Sequence, residues 1–155
     1  MNSDTRKVLL GALIGIGRAA ETSAHLIDRS LDLYILQALA SCDDPSVTDE
    51  QALEFAQALN EEKAILVPDC AMCCEPCGRT DDYDFASMAD ETDSIIRLKE
   101  NIISLAIKKA TELLEPAQDG ESLLLFPFYR ALFAIGARDW DENDLQSVID
   151  ELGSM

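Results

Sequence analysis

An all-α bundle of five or six helices is the fold this sequence predicts, and three observations predict it. Apolar residues recur at three- and four-residue steps through most of the 155 residues, the spacing that lines one face of a helix. No run alternates apolar and polar residues as a half-buried strand does. Capping residues and breakers separate the periodic stretches, at Ser3 or Asp4, Pro45, Thr48, Pro116, Gly120 and Asp141. The hydrophobic content of 48% is enough to bury a core, so the chain is no disordered acidic tail. The length fits one helical-bundle domain over residues 1–155, interrupted between helices by a cysteine-rich loop at 64–89.

The first helix is capped by Ser3 or Asp4, and Leu9, Leu10, Leu13, Ile16 and Ala20 give it an amphipathic face. The pattern restarts with Leu26, Leu31, Leu33, Ile35, Leu36 and Leu39, as one bent helix or two, with the break near Glu21 to His25. Pro45 closes that segment. Thr48, with Gln51 three residues on, forms a capping box for a short helix through Leu53, Phe55, Ala56 and Leu59 to about Glu62. Helical signal returns at Asp90, with Asp93 in the first turn and Lys108 and Lys109 late, where they complement the helix dipole. Its two apolar stripes, Ile96/Ile103/Ala106/Ala110/Leu113 and Ile95/Leu98/Ile102/Leu105, predict the central helix of the bundle. Pro116 and Gly120 separate it from a very hydrophobic helix, Ser122 to about Ala137, whose Pro127 lies in the tolerant first turns. A last helix runs from Asp141 to Leu152, with Asp141 as cap and Asp144 close behind.

Between the third and fourth helical stretches the composition changes. Ile65-Leu66-Val67 ends at Pro68, and Cys, Asp, Gly, Pro and Thr dominate the stretch beyond that proline. Four of the five cysteines, Cys70, Cys73, Cys74 and Cys77, fall within eight residues. Thiolates select soft metals, and four of them close a tetrahedral site for zinc or hold an iron-sulfur cluster. The spacing reads as a doubled Cys-x-x-Cys, in which adjacent Cys73 and Cys74 need a sharp turn to face one metal. Cys70-x3-Cys74-x2-Cys77 also copies the spacing of radical S-adenosylmethionine enzymes, but their α/β barrel does not fit a helical chain of this length. A loop whose cysteines bind nothing is the plain alternative. Bound metal would order so long a loop.

The segment Cys73-Cys74-Glu75-Pro76-Cys77-Gly78-Arg79 resembles the cysteine-rich loops of the nickel carbon monoxide dehydrogenases. The run Leu10-Gly11-Ala12-Leu13-Ile14-Gly15-Ile16-Gly17-Arg18-Ala19 is similar to the helical-domain start of their relatives, the hybrid-cluster or prismane proteins, which include hydroxylamine reductases. The similarity covers about the first two-thirds of the chain and rests on short motifs. It implies a stand-alone helical module of that superfamily with Cys70, Cys73, Cys74 and Cys77 as cluster ligands. In those families the cluster cysteines precede the helices, whereas here two helical segments precede Cys70. The two α/β units that carry their catalysis have no counterpart in these 155 residues, so the resemblance does not extend to hydroxylamine reduction or carbon monoxide oxidation by this chain alone.

The formal charge of −18 repels phosphate backbones and anionic headgroups, which argues against nucleic acid and membrane surfaces as partners. It suits electrostatic docking of a basic redox protein, and plain solubility equally. Arg6 and Lys7 ahead of the apolar run Val8–Gly17 imitate a secretory signal, but the run is too short to span a bilayer and no clean cleavage site comes after it. A reduced cytoplasmic chain is therefore expected, in keeping with an odd number of cysteines.

The remaining candidates each have a plain reading beside the chemical one. Asp81, Asp82 and Asp84 offer a hard-cation site or a solvated acidic loop; Arg79 neutralises thiolate charge or pairs with Asp81 or Asp82. Asp139, Asp141, Asn143 and Asp150 imitate a calcium loop, but Asp144 stands where that loop needs glycine, and a capped helix fits better. His25 is the sole histidine and is expected to be structural. Gly11 and Gly15 predict a close helix approach, against the central helix. Phe126, Phe128, Tyr129 and Phe133 read as core, or as a homodimer contact. No general acid or base stands out among 30 acidic residues, so enzymatic activity is not assigned. The functional expectation is an iron-sulfur module for electron transfer, or an assistant to a larger redox enzyme of the hybrid-cluster type. The alternative is a non-enzymatic scaffold or dimerisation module with structural zinc or no metal.

Overall fold

A computed structural model describes residues 1–22, 29–66, 91–120 and 125–155. All regular structure among the described residues is helical, in the order α1 (Ser3–Thr22), α2 (Arg29–Ser41), α3 (Asp49–Leu66), α4 (Asp93–Gln118), α5 (Phe126–Gly136) and α6 (Glu142–Gly153). The predicted helical bundle is thus present; residues 23–28, where the break between the first two helical stretches is expected, lie outside the described residues.

Local chemistry explains most boundaries. Asn2 caps α1, its side-chain oxygen accepting from the Thr5 amide at 2.8 Å, so the cap lies one residue ahead of the expected Ser3 or Asp4. Asn2 also donates through its backbone and side-chain nitrogens to the Asp49 carboxylate, at 2.6 and 3.1 Å, tying the start of α1 to the start of α3. In the α2–α3 turn the Ser46 amide and hydroxyl both donate to Asp44, which holds its carboxyl below the usual range. Thr48 and Gln51 form the predicted capping box, with reciprocal bonds of 3.0 and 3.2 Å. Asp141 and Asp144 form another, at 2.8 and 3.1 Å, which fixes this acidic group as the start of α6 rather than a calcium loop.

Several boundaries depart from expectation, among them the start of α5, which is Phe126 behind the non-helical cap residue Leu125 and not Ser122. The third helix continues to Leu66, so Ala64, Ile65 and Leu66 are helical rather than the start of a loop. The fourth helix runs through Pro116 to Gln118, because a proline in the last turn removes one late hydrogen bond and leaves the earlier ladder intact. It stops where the Asp119 amide bonds back to the Glu115 carbonyl at 3.0 Å and Gly120 takes φ 95°, a left-handed conformation that glycine adopts without steric cost.

The packing order corrects the expected architecture. The central helix is α1, flanked chiefly by α3 and α5, while α4 packs mainly on α2 and α6. Residues 9–17 of α1 are buried without interruption, so this helix is not amphipathic through its middle. In α4, by contrast, Ile95, Leu98, Leu105, Leu113 and Leu114 are only partly buried at the margin of the core. The reason lies in side-chain size and charge: no ionisable residue interrupts Val8–Gly17, and its glycines and alanine let neighbours approach from several sides.

Gly17 and Gly15 each face a neighbouring helix, neither of them α4, and of the two only Gly17 leaves no room for a side chain. A Cβ on Gly17 would lie 2.3 Å from Leu132 Cβ, so α1 and α5 meet there closer than any side chain permits. At Gly15 the nearest atoms to such a Cβ are Lys63 Cδ at 3.4 Å and Lys63 Nζ at 3.5 Å, on α3. Asn2 meeting Asp49 and Gly15 meeting Lys63 show that α1 and α3 run side by side in the same direction. Gly15→Ala therefore adds a methyl at ordinary contact distance and gains helix propensity. The expected outcome is a rise of about 0.5–1 kcal/mol in urea-unfolding stability; a fall of that size would show that Lys63 cannot yield.

The aromatic residues divide. Phe128 and Tyr129 are core, and the Tyr129 hydroxyl donates to Asp32 at 2.7 Å, joining α5 to the first turn of α2. Phe133 packs on Trp140 with ring centroids 5.8 Å apart, and the Arg130 guanidinium lies 5.8 Å from the Trp140 ring while pairing with Glu151 at 3.1 Å. Phe126 is 55% exposed at the start of α5 and does not belong to the core.

Candidate functional site

The cysteines that define the expected site, Cys70, Cys73, Cys74 and Cys77, lie outside the described residues, as do His25, Arg79, Asp81, Asp82, Tyr83 and Asp84. The chain enters that segment from the end of α3 and leaves it at Glu91, two residues before α4. Among the described residues no three His, Cys, Asp or Glu side chains converge as a metal-binding group. The four expected donors, Cys70, Cys73, Cys74 and Cys77, all belong to that segment. That donor set is entirely sulfur, chemistry that suits iron-sulfur clusters or zinc rather than hard cations.

Cys42 is separate from that set. It comes directly after α2, is 4% exposed, and its thiol donates to the Ala38 carbonyl at 3.4 Å. Burial pushes the thiol up to about 12; the nearby Arg6 guanidinium lowers it and Asp43 raises it by smaller amounts. Arg6 and Asp43 are themselves an exposed ion pair at 3.1 Å. A thiol held neutral in apolar surroundings is neither a nucleophile nor a ready ligand, so Cys42 is part of the core.

Its titration has a consequence for stability. The unfolded thiol ionises near its ordinary value of 9.0 while the folded one stays protonated to about 12. Over that interval the folded state binds more protons, so this contribution is fully present below pH 9 and is lost as pH rises toward 12. Relative to Cys42→Ala, the native protein should lose about 1.4 kcal/mol more per pH unit above pH 9 in urea titrations. Parallel pH profiles for the two proteins would show that the buried thiol titrates normally.

Where the chain returns to the bundle, the structure places a charged group that sequence reading passed over. Lys99 is 1% exposed, and its ammonium donates to Glu91 Oε1 and to the Ala137 carbonyl oxygen, each at 2.7 Å. One buried cation thus joins the residue preceding the α4 cap to the residue that ends α5. Glu91 is 14% exposed, and its Oε2 is buried with no hydrogen-bond partner among the described residues. A signal for this burial exists in the sequence: Lys99 continues the stripe of Ile102, Ile103, Ala106 and Ala110 at helical spacing. A lysine on an apolar stripe is nevertheless usually able to extend its head to solvent, whereas here it is enclosed by tertiary packing and donates to the Ala137 carbonyl at the end of α5.

Helix α1 carries the apolar run that imitates a secretory signal, buried from Leu9 to Gly17 with Val8 exposed. Among the described residues no helix is long and apolar enough to cross a membrane. No protein-family model matches the chain, and no curated protein matches it either.

Proposed function

We propose that this chain is a helical module that holds a soft-metal centre, an iron-sulfur cluster, on Cys70, Cys73, Cys74 and Cys77. The observation that carries the reading is the density of thiols: four cysteines within eight residues of a segment that links two helices of a bundle. The resemblance of Cys73–Arg79 to cluster-binding loops supports it, and so does the sequestration of Cys42, which leaves those four as the thiols for ligation. The module would act in the cytoplasm, passing electrons to a partner or assisting a larger redox enzyme of the hybrid-cluster type. With a charge of −18 the complementary partner is a basic protein, recruited by long-range attraction that salt weakens.

Anaerobic purification followed by visible absorption spectroscopy and assays for iron, acid-labile sulfide and zinc tests the proposal. The expected outcome is a brown protein whose iron and sulfide are lost in a Cys73→Ala/Cys77→Ala variant that keeps its helical circular dichroism. Stoichiometric zinc in place of iron would make the centre structural. A colourless, metal-free, fully folded protein would overturn metal binding and leave a scaffold or dimerisation module.

A further inference from the structure

We draw no further inference here: the strongest candidate, the buried Lys99–Glu91 ion pair where the start of α4 meets the end of α5, belongs to the junction already described, and nothing in the structure shows what meets its second carboxylate oxygen.

Discussion

Gly17→Ala is expected to destabilise the bundle by about 3 kcal/mol, in spite of the gain in helix propensity that alanine brings. The added Cβ would lie 2.3 Å from Leu132 Cβ and 3.3 Å from the Leu132 backbone. Leu132 is buried and its own Cβ is fixed by the helix, so no rotamer change relieves the contact. The helices must separate, and dispersion contacts along the whole α1–α5 face weaken together. Urea unfolding of Gly15→Ala and Gly17→Ala, two residues apart on one helix, gives the sharpest reading: the first should gain stability and the second should lose it. A Leu132→Ala background should not rescue Gly17→Ala, because alanine keeps the obstructing Cβ. Equal behaviour of the two glycine variants, or rescue by Leu132→Ala, would show that α1 and α5 are farther apart than the structure has them.

Glu91→Gln is the second large effect. The substitution keeps the shape of the side chain and removes its charge, leaving the Lys99 ammonium enclosed with only neutral acceptors. Removing one member of a buried ion pair costs about 3–5 kcal/mol, since the charge left behind stays desolvated. The lower end applies here, because the amide oxygen still accepts a hydrogen bond and the Ala137 carbonyl stays in place. Glu91→Gln/Lys99→Met should recover most of the loss, as an apolar side chain of similar length fills the same space without a charge to solvate. A double variant as unstable as Glu91→Gln would show that the loss came from the carboxylate's own packing and not from the stranded cation. The pair's exposures, 1% and 14%, are what separate this expectation from that for Arg6–Asp43, an exposed pair whose removal should change stability by less than about 1 kcal/mol.

The cysteines of the proposed metal site are a feature of the sequence alone, because all four lie outside the described residues. Cys70, Cys73, Cys74 and Cys77 announce themselves by type and crowding, independent of any fold. Cys42 did not, because a lone cysteine after a helix has no local mark of burial; its place beneath Arg6 and Asp43 comes from α1 meeting the end of α2. Lys99 was missed for a related reason. Its position on an apolar stripe is visible, but a lysine's stem allows the head to reach water unless a neighbouring helix blocks it.

The sequence by itself determined the class and most of the helix boundaries. Thr48 with Gln51, Asp141 with Asp144, Pro127 near the start of α5 and Gly120 after α4 each act over a few neighbouring residues, through hydrogen bonds and backbone angles that need no distant partner. Tertiary structure alone decided which helix is central, which glycine is required and which charges are buried. Two apolar stripes on α4 and an apolar run on α1 both satisfy helical periodicity; the choice between them depends on how many neighbours can approach. Small residues along Leu9–Gly17 let α3 and α5 close on α1 together, and that convergence put Gly17 against Leu132. Periodicity reports which face of a helix is apolar, whereas burial depends on what packs against that face.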